Sequence, residues 1–441
     1  MYKKFLLIGS GSFIAEIKGV LSNLALEVGI ANVYSEITPK LKKAEIAVFD
    51  KDSYSSSSRL TKGIFNTLAR SRKDFVVLSA EKSTLDVLAA KEAGAVDYIL
   101  KPYNIREVNL RLSAILNKKK RISCIGGGTG LFNLLLGIKS LPAVLPISIV
   151  STADDGGSSG RLRDSFGILP PGDIRRSLVA LSNAPAIMNK IIQYRFSKGK
   201  GFSGHSFGNL LLTVLNDIEG SMSNAVRGVG DILNINGIVY PIASTESVLY
   251  AQFEDGSIVK GETNIDLCNG RLPELHIKKC WHKPVPKCDI NAYSAIINSD
   301  IVTIGPGDLY TSVITNLLIK DIREAIVKSR AKKVYICNLM TKPGETSGLD
   351  AFGHISEILR YLKKDCLDYV ILADNRRLRR DALFRYAQKG QFPVQVGNLA
   401  KIRKITRAQV IIADLSHEQE LIRHDSQKIR DQIAKVIKGR V

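Results

Sequence analysis

Cys124-Ile125-Gly126-Gly127-Gly128-Thr129-Gly130-Leu131 decides how the larger part of this chain folds. An apolar strand over 121–125 runs straight into four glycines, and a helix follows from about Leu131 to Lys139. Glycines let backbone N–H groups approach an anion with no Cβ in the way, and a helix N-terminus adds a favourable dipole. The run is neither a Walker loop, lacking Gly-Lys-Ser/Thr, nor Gly-x-Gly-x-x-Gly, because Leu131 holds the third position. Taken alone it is a phosphate cradle or a glycine-rich structural turn. A second strand over 146–152 then ends in Ala153-Asp154-Asp155-Gly156-Gly157-Ser158-Ser159-Gly160-Arg161. In a doubly wound sheet, ligands bind at the carboxyl ends of strands near the switch point. Asp154 and Asp155 there could accept from ribose hydroxyls or hold a divalent cation. The Gly/Ser loop offers donors, and Arg161 and Arg163 carry guanidinium groups suited to phosphate.

Three further blocks have the same character. In Pro170-Pro171-Gly172-Asp173-Ile174-Arg175-Arg176, Asp173 is expected to N-cap a helix with Arg175 on its first turn. In Gly201-Phe202-Ser203-Gly204-His205-Ser206-Phe207-Gly208-Asn209, His205 could donate to a phosphate or move a proton, flanked by Ser206 and Asn209. Gly305-Pro306-Gly307-Asp308-Leu309-Tyr310 repeats the strand, loop, helix pattern. Residues 247–261 read as a hairpin turning at Asp255-Gly256, and 301–305 and 333–338 as buried strands. His276, Cys280, His282 and Cys288 lie close together, but their spacing matches no common zinc pattern and Pro284 and Pro286 intervene.

The first 120 residues alternate strand and helix, with strands expected at 5–8, 30–34, 46–49, 75–78 and 98–100 and helices at 59–69, 83–93 and 105–116. That alternation implies a parallel sheet covered on both faces. Residues 55–58 read as a short loop. The basic run 118–121 reads as a linker between a domain over 1–117 and another over 122–441. The opening segment resembles a response-regulator receiver domain: Asp50 ends the third strand, Ser79 the fourth, and Lys101-Pro102 follows the fifth. The acidic pair that receivers carry after the first strand is replaced by Gly9-Ser10-Gly11-Ser12, so a hard cation loses most of its ligands. A degenerate receiver serving interaction or dimerisation follows from that reading.

Of 441 residues, 45% are hydrophobic and 24% charged, which suits two or three globular domains. No apolar run approaches the roughly 18–20 residues of a bilayer-spanning helix. The stretch 5–8 stops at Gly9, short of a signal-peptide core, and six scattered cysteines fit a reducing compartment. A cytoplasmic location is therefore expected. The net charge of +21 favours polyanionic or phosphorylated partners, while no motif for sequence-directed nucleic-acid binding is present.

Taken in order, Gly126–Leu131, 153–163, 170–175, Tyr194-Arg195-Phe196, 204–210, 305–312, 334–346 and Ile422-Arg423-His424-Asp425 resemble the CofD-like family, in its YvcK (gluconeogenesis-factor) branch. The resemblance spans 121–441 and implies a Rossmann-like α/β fold after the flavodoxin-like first domain. It implies a regulator that binds UDP-N-acetylglucosamine or a similar nucleotide-sugar, or an NAD-like dinucleotide, and serves gluconeogenic growth, peptidoglycan precursor supply and cell shape. Protein partners through the first domain and a homo-oligomer are expected with it. The alternatives are a Mg²⁺-dependent 2-phospho-L-lactate transferase, which the resemblance also implies, and a signalling adaptor. Carried over by position, the ligand is expected at Gly126, Gly127, Gly128, Thr129 and Gly130, at Asp154 or Asp155 (ribose or Mg²⁺) and at Gly156, Gly157, Ser158, Ser159 and Arg161. Asp173, Arg175, His205, Ser206 and Asn209 would line the rest, with Gly305, Gly307, Tyr310 and Asn338 as a second wall. The branch generally has Ser where Asp308 stands, Pro at Thr315, and a base-stacking Tyr where this chain has Leu349.

Overall fold

A computed structural model describes residues 4–22, 27–54, 59–268, 272–418 and 421–439; the loop read at 55–58 lies outside them. The chain divides into two compact units, Met1–Lys119 with Tyr293–Asn298, and Lys120–Ala292 with Ser299–Val441. Lys120 and Arg121 already belong to a strand, so the expected linker 118–121 shortens to Lys118 and Lys119. Hydrogen bonding of Lys120 N–H to Ala143 O draws that half of the basic run into the sheet.

In the first unit, β1 (Lys4–Ile8), β2 (Glu27–Ala31), β3 (Ile46–Asp50), β4 (Asp74–Ser79) and β5 (Asp97–Leu100) form one parallel sheet. Their order, β2-β1-β3-β4-β5, is the flavodoxin-like order. Alternating residues of these strands, among them Phe5, Leu7, Val48, Val76 and Leu78, pack with Val108 and Leu112 in one core. The second strand lies earlier than the expected 30–34. Val28 and Ile30 pack against the core, whereas Val33 and Tyr34 are exposed and Tyr34 opens the helix Tyr34–Leu41.

The second unit begins with β6 (Lys120–Gly126), β7 (Val144–Val150) and β8 (Ile238–Pro241). An antiparallel insertion follows, β9 (Val248–Phe253), β10 (Ile258–Lys260) and β11 (Ile277–Lys283), in the order β10-β9-β11, with Gly256 at φ +87° in the hairpin turn. The chain then returns through β12 (Ile301–Ile304), β13 (Lys332–Ile336), β14 (Tyr369–Ala373) and β15 (Gln409–Ala413), and closes with the hairpin of β16 (Ser416–Glu418) and β17 (Ile422–His424). Seven strands make a parallel sheet ordered β15-β14-β13-β12-β6-β7-β8. From β6 the chain winds outward to β7 and β8, and from β12 it winds the other way to β15. The winding direction reverses between β6 and β12, which is where such sheets open a crevice. The helix Gly128–Lys139 covers this point, burying Leu131, Leu134, Leu135 and Ile138 against Ile174, Leu178, Ile429 and Ile433. No helix among the described residues is long and apolar enough to cross a membrane.

One buried charge cluster ties β5 of the first unit to the helix Ile105–Leu116. Arg111, 4% exposed, donates from Nε to Asp97 Oδ2 at 2.8 Å and from Nη1 to Glu107 Oε1 at 3.1 Å. Breaking a buried ion pair from one side costs about 3–5 kcal/mol, because the remaining charge is left uncompensated. Arg111→Met is expected to lower the unfolding free energy of the first unit by about 3–5 kcal/mol, and Arg111→Lys by less, read from urea titrations followed by circular dichroism of the full chain.

Candidate functional site

The two glycine loops meet at the point where the winding reverses. β6 ends at Gly126, and the helix opens at Gly128, whose φ of +62° suits glycine. A Cβ on Gly130 would stand 2.4 Å from the carbonyl oxygen of Pro306, so the loop after β6 lies directly on the loop after β12. Gly305, at φ +76°, and Gly307, whose Cβ would stand 2.9 Å from Ser312 Cβ, complete that second loop. The first-turn N–H groups of Thr129 and Gly130 have no acceptor within their own helix. Beside them opens a cavity of about 300 Å³ lined by Thr129, Gly130, Gly307, Asp308, Asn338 and Lys342, with Tyr386 and His424 on its far side. Asn338, just past β13, is only 9% exposed, and its Oδ1 is buried without a hydrogen-bond partner. Thr129, Gly130, Gly307 and Asn338, expected from the sequence, thus share one cavity.

The carboxylates expected there have specific partners. Asp173 does not N-cap its helix, because Pro170 precedes Pro171–Leu181 and puts Asp173 in the first turn. Its Oδ2 instead accepts from Gly128 N at 2.8 Å, on the opening turn of the glycine-loop helix. Burial and the Asp154 charge push its pKa up to about 6. Asp154 Oδ1 accepts from Gly156 N at 3.0 Å, and its Oδ2 lies so close to Gly172 that a Cβ there would stand 2.4 Å away. Asp155, expected at ribose or Mg²⁺, is engaged by backbone donors of the antiparallel insertion. Its two oxygens accept from Glu262 N at 3.0 Å and Thr263 N at 2.8 Å, capping the helix Glu262–Asp266 of the antiparallel insertion. Glu262, buried beside Asp154, Asp155 and Asp173, is pushed up to about 8.

Behind this edge lies a second polar group. Gly156 and Gly157 open the helix Gly157–Phe166, which carries Ser158, Ser159 and Arg161. Ser158 Oγ lies 3.0 Å from His205 Nδ1 and accepts from Asn209 Nδ2 at 3.1 Å, and Asn209 Oδ1 accepts from Arg175 Nε at 2.9 Å. Ser206 caps the helix Phe207–Glu219. Burial and the nearby Arg161 and Arg195 lower the His205 pKa, so the ring is neutral near pH 7. Arg161 itself donates to Ser203 O at 3.0 Å. This network touches the acidic edge through Ser159, which shares the space over Gly172 with Asp154. Its side chains do not line the cavity.

Tyr310 is not a cavity residue either. It is buried, and its hydroxyl donates to Ile277 O of β11 at 3.4 Å. Lys342 is the residue that sequence reasoning missed. Its Nζ donates to Asp308 Oδ2 at 2.7 Å and to Asp266 Oδ1. Glu345 lies beside them, accepting from Tyr310 N and Thr311 Oγ1. The blocks 334–346 and 422–425 are visible in the sequence, but nothing local in them marks Lys342 or His424 as cavity-facing. His424 Nε2 lies 3.2 Å from Cys337 O, and burial lowers its pKa to about 4. The pair expected to hold a divalent cation is split in its partners: Asp155 accepts from two backbone N–H groups of the insertion, while Asp154 accepts from Gly156 N within its own turn. Of the His/Cys set, His282 Nε2 faces Thr315 O at 2.9 Å, and Cys280 is buried within β11.

In the first unit, Lys101 Nζ reaches Asp50 Oδ1 at 2.5 Å and Asp52 Oδ2 at 3.1 Å, while Ser79 Oγ donates to Asp52 at 2.9 Å. Ser10 and Ser12 line the same 620 Å³ recess. One ammonium therefore faces two carboxylates at the strand ends, with serine hydroxyls where a receiver has acids.

A parallel sheet with glycine loops astride its winding reversal defines a Rossmann-like α/β protein, preceded here by a flavodoxin-like unit. Residues 122–416 match the 2-phospho-L-lactate transferase CofD family, and the chain belongs to that family. It is 41% identical over 319 residues to a putative gluconeogenesis factor of Thermotoga maritima, covering 72% of this chain and 99% of that protein. Identity to the gluconeogenesis factor of Bacillus subtilis is 36% over 327 residues, covering 73% and 100%. The crystal structure of a UPF0052-family protein from Bacillus halodurans superposes with a TM-score of 0.68 at 38% identity, over 72% of this chain and 99% of that one.

Two outcomes follow from this geometry. Gly130→Ala should force the two loops apart and cost about 1–3 kcal/mol in chemical denaturation, as overpacking does. Glu262 has a folded pKa raised from 4.5 to about 8, so its contribution is fully present below pH 4.5 and lost as pH rises through 8. The melting temperature is expected to fall as pH rises from 4.5 to about 8, and Glu262→Gln to flatten that fall.

Proposed function

We propose that this protein is a regulator that binds a nucleotide-sugar of the UDP-N-acetylglucosamine type in the cavity between the glycine loops. Its role is to couple that metabolite to growth on gluconeogenic carbon and, through precursor supply, to peptidoglycan synthesis and cell shape. One observation carries the reading: a buried acceptor, Asn338 Oδ1, faces no donor in a cavity that also exposes a helix N-terminus between two glycine loops. An unpaired buried acceptor costs about 1–3 kcal/mol, and a ligand N–H or O–H placed there would remove that cost. The N–H groups of Thr129 and Gly130 suit the phosphates. Leu349, which packs on Gly353, leaves stacking to Tyr386, an aromatic wall held to β17 by its hydroxyl.

The relatives named gluconeogenesis factors support the physiological half of this reading. The transferase activity in the family's name carries less weight in this reading, because Asp154 and Asp155 do not line the cavity. The N-terminal unit, with Lys101 across Asp50 and Asp52, is assigned to partner binding.

Calorimetry with UDP-N-acetylglucosamine, UDP-glucose and NAD tests the reading. Heat is expected with the UDP-sugars. Tyr386→Ala should weaken binding by about 1–3 kcal/mol, if the stacking scale for single-stranded nucleic acid transfers. Asn338→Ala should weaken it too. Folded protein that binds none of the three would overturn the proposal.

A further inference from the structure

Asp266, Asp308 and Glu345 offer three carboxylate oxygens within 4.8 Å of one another, the spacing of a cation site, and of the three Asp308 lines the cavity just described. These residues come from three separate places: the insertion helix Glu262–Asp266, the loop after β12, and the segment after β13. A hard divalent ion takes such an oxygen set readily. In this chain the space among them holds the Lys342 ammonium, which donates to Asp266 and Asp308. Glu345 is turned toward them by the Tyr310 N–H at 3.2 Å and the Thr311 hydroxyl at 3.0 Å.

We propose that Lys342 stands in for a divalent cation: its ammonium offsets part of the charge of this carboxylate triad and offers its remaining N–H to a phosphate of the ligand, so that binding needs no metal. The inference rests on the nucleotide-sugar reading for the ligand, but its cation half stands apart from it. An ammonium has three N–H donors. Two are engaged, and the third has no partner among the described residues, while the side chain lines the cavity with Gly130 and Gly307. Lysine serves phosphate as a compact point charge on a flexible stem, which is also what a metal ion supplies. The lysine cannot bring waters or open coordination positions. The substitution therefore keeps a positive charge and an N–H donor beside the ligand and gives up metal-centred chemistry there, as befits a sensor.

Lys342→Gln in the full chain tests this, with Lys342→Met as the second variant should the first fail to fold. Mn²⁺ binding followed by electron paramagnetic resonance is expected to show a bound ion in the variant and none at this rim in the wild type. Adding Asp308→Asn to the variant should abolish it. UDP-N-acetylglucosamine should bind the wild type equally in EDTA and in Mg²⁺. The variant should lose about tenfold or more in EDTA and recover with Mg²⁺. Wild-type binding that disappears in EDTA, or folded Lys342 variants that take up no Mn²⁺, would overturn the proposal. If the wild type binds no nucleotide in either condition, the ligand reading falls by itself, and the Mn²⁺ measurement still decides the role of Lys342.

Discussion

The close approach of two backbones holds the site together. Gly130 lies against the Pro306 carbonyl, with no room between them for a side chain. That contact needs glycine in the first turn of one loop, and on the other side it needs Gly305 in a left-handed conformation. Because the loops follow β6 and β12, which are neighbours in the sheet but wind in opposite directions, their contact leaves a crevice beside it. A wider separation would close neither wall of the cavity, and bulkier residues would fill it.

Around this contact the protein arranges charge in an order unlike its overall balance. The chain carries a net +21, yet Asp308 lines the cavity and Asp154, Asp173, Glu262 and Glu345 gather near it. Most of these carboxylates meet backbone N–H groups, the Lys342 ammonium or a neighbouring carboxyl; Glu345 is buried and the others are half-buried. Burial and mutual repulsion raise several of their pKa values, which tends to keep a proton on part of the set near neutral pH. The guanidinium groups expected at the phosphates sit further back. Arg175 is held in the network with Asn209, Ser158 and His205, and Arg161 is held at the Ser203 carbonyl. The rim is thus one where a single lysine has a large electrostatic effect.

The N-terminal unit repeats that device in a different fold. Lys101 spans Asp50 and Asp52, and the turn after β1 brings Ser10 and Ser12 where acids would bind a metal. With one ammonium set between two carboxylates, this unit has a fixed arrangement of charge at its strand ends.

Much of this was legible in the sequence. The alternation of strands and helices, the glycine loops and the Asp255-Gly256 hairpin turn are local demands, written in residues that only certain backbone conformations accept. The reading of β2 slipped because Ile30 and Val33 look alike in a short apolar run, and only packing against the core separates them. The partners of the polar residues were not legible at all. Asp155 looks like a ligand for ribose or metal, yet it caps a helix 107 and 108 residues further along the chain. Lys342 sits in a visible motif with nothing nearby to mark it, because the carboxylates that hold it arrive from the insertion and from the loop after β12. The sequence by itself determined where the backbone could turn tightly and expose its N–H groups, since that depends on the absence of a Cβ. Only the tertiary structure decided which charges face one another there, since a hydrogen bond depends on distances that the chain acquires by folding.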